Sequence, residues 1–253
     1  MKLLLQSDWQ ADNMTDPVGQ AIHQLRWKGV DSTLTAMTLE QLSTYTKLLK
    51  YKDYTPIGTV EFVKAFAERV GVKLPNPIHA NELLKLEGRK YATVRKKDLP
   101  LPRKTYPVFV KPLKELKKFT GFVARSEKDF ELYPDVDWSN TSLFLTGVLE
   151  NIVSEWRCYV LNGKVFACVN YSGDPTCFPR TVDIDKMLYN YTNAPIAYSL
   201  DIAVCIDKKY SDNCVYTSFI EINDAFSLGY YGGDVELYTK MLDLRWKQIV
   251  SQK

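Results

Sequence analysis

The chain has 253 residues, 45% hydrophobic and 25% charged, with a net charge of +3. That length suits two small domains or one large one, and the composition is ordinary for a globular protein. No apolar run approaches the roughly 18 residues a membrane span needs, so a spanning helix is not expected. The five cysteines contain no C-x-x-C pair, and only His23 and His79 are histidines, which argues against a zinc centre. Cys158, Cys168 and Cys205 lie in apolar runs and read as small buried thiols of a reducing compartment.

Gln6 to Asp8 end the first apolar run too early for a signal peptide, so Lys2–Gln6 reads as the buried first strand of a cytosolic protein. Residues 17–28 carry Val18, Ile22 and Leu25 at helical spacing. Residues 33–37 read as a second strand and 39–49 as a short helix. The segment 55–59 reads as a turn into a helix capped by Thr59. Its apolar stripe is Val60, Val63, Phe66, Ala67 and Val70, and Gly71 ends it. Strand and helix alternate, which predicts an N-terminal α/β lobe over residues 1–100.

Pro100 and Pro102 mark 99–104 as a linker. Strands then follow at 108–110, 121–125, 143–149, 155–161, 165–171, 197–204 and 218–223. Asn162-Gly163 between two apolar runs is a strong hairpin signal. A helix over 235–249 closes the chain. Residues 101–253 are therefore expected to form a second, antiparallel lobe, making the fold class α+β. Between Lys85 and Lys118, twelve Lys or Arg residues stand against Glu87, Asp98 and Glu115. This local charge of +9 leaves −6 on the remainder. The stretch is open to three readings: a nucleic-acid face, a phosphate pocket, or a solvated surface.

In Phe219-Ile-Glu-Ile-Asn-Asp224, a strand period of two puts Glu221 and Asn223 on one face and Ile220 and Ile222 on the other. A buried carboxylate beside a carboxamide calls for a positive partner, and magnesium prefers such oxygen ligands, against the alternative of an edge strand with one wet face. Asp201 interrupts another apolar strand. If the two strands pair as a hairpin, Asp201 comes near Glu221. On the positive side, Lys111 ends an apolar strand just before Pro112. Lys117 and Lys118 open a polar turn, and Glu155 and Arg157 share a face. Lysine binds phosphate as a point charge and arginine as a fork.

In this order the residues resemble the ATP-grasp superfamily over roughly 106–232. The closest likeness is to a small branch, common in phages and bacteria, named for one arginine and two lysines. The resemblance is carried by Phe109-Val-Lys-Pro112, Lys117-Lys-Phe-Thr-Gly121, Ser154-Glu-Trp-Arg157, Tyr171-Ser-Gly-Asp174 and the segment 221–232. Two features depart from the better-known relatives. The 117–121 turn replaces a glycine-rich loop, and the interval from Asp201 to Glu221 is longer.

The resemblance implies an N-terminal pre-ATP-grasp lobe and an ATP-binding lobe with ATP and Mg²⁺. It implies a ligase that joins a carboxylate to an amine or thiol through an acylphosphate. Lys111, Lys117 and Lys118 would hold phosphates, and Arg157 the γ-phosphate or the acyl intermediate, with Lys117 and Arg157 catalytic. Glu150, Asn151 and Ile152 would read adenine and Glu155 the ribose. Asp201, Glu221 and Asn223 would carry the metal. Glu61, Tyr171, Asp174 and Ser227 are candidates for the acceptor wall, against roles as helix-start charge, core tyrosine, turn acid and loop serine. The expected partners are small-molecule or peptide substrates. Nucleic acid is an alternative partner tied to the basic stretch, with an ATP-grasp kinase or a nucleic-acid-modifying ligase as the matching activity; a nucleotide-binding module without turnover is a separate alternative.

Overall fold

The computed structural model describes residues 1–7, 33–95, 101–114, 118–207 and 214–252. The helix expected over 17–28, and Lys117, lie outside these residues. Strand β1 (Lys2–Gln6) is the centre of a three-stranded parallel sheet, between β2 (Thr33–Met37) and β3 (Thr55–Ile57). Its leucines alternate between two cores. Leu3 and Leu5 pack with Tyr159, Tyr238 and Met241, whereas Leu4 packs with Phe62, Phe66 and Trp246. A strand covered on both faces is a continuous apolar run, which is why Leu3 to Leu5 look like a truncated signal peptide.

Two local expectations change here. Residues 55–57 form edge strand β3, where Pro56 is tolerated because it has no ladder bond to donate on the open side. The helix expected over 39–49 stops early. Helix α1 (Leu39–Thr44) starts with a capping box between Thr38 and Gln41, and a separate 3-10 turn follows at Leu48–Tyr51. Helix α2 (Val60–Arg69) is capped by Thr59, whose hydroxyl accepts from the amide of Phe62, and buries Val60, Val63, Phe66 and Ala67.

After α3 (Asn81–Leu86), β4 (Tyr91–Arg95) pairs with β7 (Ser142–Thr146). With β5 (Val108–Pro112) and β6 (Phe122–Ala124) they form the middle sheet, in the order β4-β7-β5-β6. Sequence periodicity places neither α3 nor β4, since both are short. The C-terminal sheet has the order β11-β10-β8-β9, all antiparallel. Its strands are β8 (Ile152–Leu161), β9 (Lys164–Gly173), β10 (Ala197–Asp207) and β11 (Cys214–Asp224). The β8–β9 hairpin turns at Asn162 and Gly163, both at positive φ (51° and 72°), as a two-residue primed turn requires.

Helix α4 (Thr181–Asn190), absent from the sequence reading, buries Ile184 and Met187 against this sheet. Helix α5 (Val235–Ser251) covers the other face, with Tyr238, Met241 and Leu242 on the C-terminal sheet side and Trp246 and Ile249 on the N-terminal core. No helix among the described residues is long and apolar enough to cross a membrane.

Candidate active site

A cleft of about 1100 Å³ opens between the middle and C-terminal sheets, bounded at one end by the first turn of α2. The hairpin register brings Asp201 opposite Glu221, and a bulge follows at once, because Ile202 pairs with Phe219. Ile220 is thus the extra residue of β11. Both isoleucines border the cleft, but only Ile222 is also buried in the core while Ile220 stays half-buried, so the expected inward pair is reduced to one. Past the bulge, the Phe219 amide donates to Glu87, which also accepts from the Ser218 hydroxyl.

Glu221 and Asn223 share a face: the Asn223 amide nitrogen donates to Glu221 at 3.0 Å and to Asp201 at 3.1 Å. With its nitrogen so engaged, Asn223 keeps its carbonyl oxygen as a ligand. Asp201 is buried and accepts from Arg157 Nε (2.9 Å), Arg157 Nη2 (2.6 Å) and Ser199 (3.1 Å). Arg157 also donates to the Gly229 carbonyl at 3.2 Å, and its plane lies 4.6 Å from the Tyr231 ring. Burial opposes the charge on Arg157, but the bidentate bond to Asp201 outweighs it and holds the guanidinium firmly protonated. Tyr171 stacks on Tyr231 and donates to Glu155 at 2.8 Å.

The facing wall is cationic. Lys111 lies 3.8 Å from Glu221 across the cleft. Burial lowers its pKa and the carboxylate of Glu221 pulls it back up. Arg89, in the turn between α3 and β4, also lines the cleft with its side chain only 11% exposed. Glu87 lies 3.8 Å from its Nε, its guanidinium lies over Phe219, and that buried Nε has no hydrogen-bond partner among the described residues. His79 donates from Nε2 to the Leu113 carbonyl at 2.8 Å and stacks on Phe144. Burial lowers its pKa, against the opposing hydrogen bond to the Leu113 carbonyl.

The cleft therefore gathers Glu61, Lys111, Ile152, Glu155, Arg157, Tyr171, Glu221, Asn223 and Ser227. Asp201 sits behind Arg157. Glu150 and Asn151 are exposed and outside the lining, where Val148, Leu149 and Ile152 supply the apolar wall. Lys118 lines a small neighbouring hollow with Lys114 and Asn140. Asp174 lies outside the cleft and caps its own turn through Thr176. The glycine of its motif is structural: a Cβ on Gly173 would fall 2.1 Å from the Val153 carbonyl. Sequence reasoning missed Arg89 and His79, because only the count of basic residues pointed to the first and nothing to the second.

Among the described residues, no group of three or more His, Cys, Asp or Glu is arranged to hold a metal. Glu221 and the Asn223 carbonyl nonetheless fit a magnesium ion whose other ligands are phosphate oxygens and water. For Asp201 to join them, one of its donors, Arg157, Ser199 or Asn223, must release an oxygen.

Two antiparallel sheets closing on a cleft, cations on one and acids on the other, over an α/β layer, define the ATP-grasp fold. A family model described as "ATP-grasp domain, R2K clade family 2" matches residues 87–241, more than half of the chain, and the chain belongs to that family. Solved structures share the fold at low identity. D-alanine–D-alanine ligase from Bacillus anthracis is 12% identical, with 99% of this chain and 96% of that one covered and a TM-score of 0.54. The same enzyme complexed with ATP gives 13%, 99%, 97% and 0.53. N5-carboxyaminoimidazole synthetase from Staphylococcus aureus is 12% identical over 88% of this chain and 69% of that one, with a TM-score of 0.52. A search of curated proteins returned no match.

Proposed function

We propose that the cleft binds ATP with magnesium and that the chain is a ligase. It would join a carboxylate to an amine, or to a thiol, through an acylphosphate, releasing ADP and phosphate. The observation that carries this reading is the placement of Lys111 and Glu221, from different sheets, 3.8 Å apart across the cleft. Phosphoryl transfer asks a protein chiefly for alignment and charge neutralisation, not for an acid–base pair.

In this reading Lys111 and Arg89 hold phosphates, joined by Lys117 and Lys118 from the 117–121 turn. Glu155, oriented by the Tyr171 hydroxyl, takes the ribose. The backbone of 148–152 and the apolar wall take adenine. Glu221, Asn223 and Asp201 form the metal set, and the bound metal would neutralise phosphate charge during transfer. Arg157 neutralises the γ-phosphate or the acyl intermediate. Glu61, Tyr171 and Ser227 border the acceptor, a small molecule or peptide end. Arg89 turns into the cleft, which favours the phosphate-pocket reading of the basic stretch over the nucleic-acid face.

The test measures ADP formation with magnesium against pooled amino acids, small carboxylic acids and oligonucleotides. ADP release that requires an acid and an amine together supports the ligase. Release with oligonucleotides alone points to nucleic-acid modification. Nucleotide binding without any ADP release leaves a binding module.

A further inference from the structure

Cys158 and Cys168 lie outside the cleft machinery, on the far face of the β8–β9 hairpin. They are direct cross-strand partners, and their sulfurs are 3.0 Å apart. Cys158 is fully buried and Cys168 half-buried. Cross-strand partners in an antiparallel pair have Cα atoms ~4.5–5.5 Å apart, inside the ~4.4–6.8 Å that a disulfide spans. Closing the contact to a bond of ~2.05 Å asks for a shift of about 1 Å, within reach of small side-chain rotations. Extra residues on β9, Tyr171 opposite the Glu155–Trp156 step and Phe166 opposite the Tyr159–Val160 step, bracket a regular four-residue segment of β8. Cys158 sits on its inner face, and Arg157 faces the cleft from the other.

We propose that Cys158 and Cys168 form an oxidisable cross-strand dithiol, a modification site that hydrogen peroxide converts reversibly to a disulfide. The bond would staple the back of the strand that presents Glu155 and Arg157. The Cys158 thiol donates to the Cys168 sulfur, which lowers the pKa of Cys168 and marks it as the attacking thiolate. Its sulfur attacks one peroxide oxygen, the O–O bond breaks, and the leaving hydroxide takes up the proton as water, giving a sulfenic acid. The Cys158 sulfur then displaces the sulfenic hydroxyl, which leaves as a second water with the Cys158 proton. Two thiols lose two electrons and two protons, and one peroxide becomes two waters. The proposal does not depend on the ligase reading.

The folded wild-type chain is treated with hydrogen peroxide, its remaining thiols are alkylated under denaturing conditions, and its peptides are mapped by mass spectrometry. The expected result is a peptide pair joined through Cys158 and Cys168, lighter by two hydrogens and separated again by dithiothreitol. In Cys158→Ser, Cys168 lacks its resolving thiol and should be trapped by dimedone as a sulfenic acid. The proposal falls if both wild-type cysteines stay fully alkylatable at peroxide doses that consume a small control thiol. It falls equally if either one bridges to Cys177, Cys205 or Cys214 instead.

Discussion

The two sheets that face each other across the cleft are built differently. The C-terminal sheet has strands of 10 or 11 residues, and two of its buried acids are already tightly paired with arginines. Arg157 meets Asp201, and Arg245 of α5 meets Asp224, each at 2.6 Å. The middle sheet has strands of 3 to 5 residues, held by a nest of Phe119, Phe122, Phe130, Tyr133 and Trp138. Lys111, at the end of one of these strands, and Arg89, in the turn before another, have no acid closer than 3.8 Å among the described residues. A buried cation short of counter-charge is unfavourable until an anion arrives. The Arg157–Asp201 pair is electrostatically complete in the free protein, whereas the cations of the opposite wall are completed by a ligand.

The largest test of that contrast breaks the complete pair. Arg157→Ala strands Asp201 in the interior and should cost about 3–5 kcal/mol in urea denaturation. Lys111→Ala, on the cationic wall, should change the stability of the free protein by under about 1 kcal/mol. Equal losses would erase the distinction.

Next in size is Glu221→Gln. The side chain is 35% exposed, so the fold should persist, while turnover should fall roughly 10²–10³-fold as a metal-holding charge is lost. An active variant would remove Glu221 from the metal set.

Lys111→Ala should then weaken nucleotide binding by about 1.5–3 kcal/mol, roughly ten- to hundredfold, read as a smaller rise in Tm on adding Mg-ATP. An unchanged rise would mean that the cationic wall does not receive the phosphates.

The smallest effect concerns Glu87, the acid beside Arg89. Burial raises its carboxyl pKa above the usual 4.5, against the opposing Phe219 hydrogen bond and the charge of Arg89. A raised folded-state value means that the group's contribution is full below about 4.5 and is lost as pH rises through the folded value. Glu87→Gln should therefore flatten the fall in stability over that window. An identical pH profile would show that Glu87 does not titrate differently on folding.

Much of the C-terminal lobe was legible in the residues themselves. A period of two located its four long strands, and Asn162-Gly163 marked the hairpin because few other pairs accept two positive φ values. The Asp201–Glu221 approach followed from pairing two strands around one loop. These are local properties, set by side-chain alternation and backbone sterics over a few residues. The short elements α3 and β4 escaped because too few residues repeat to show a period, and α4, though as long as α2, buries only Ile184 and Met187 and so shows no apolar stripe.

What the tertiary structure alone decided is who meets whom. No pattern near Arg89 tells that its turn swings into the cleft, since burial depends on chain that comes later in the sequence. Nor does any spacing reveal that Asp201, legible as a metal ligand, is first the counter-ion of Arg157, 44 residues away. The bulge at Ile220 is equally invisible, because it arises from fitting two strands of different register. Strand and turn are written in neighbours along the chain, but the balance of charge in a buried site is a sum over residues that only folding brings together.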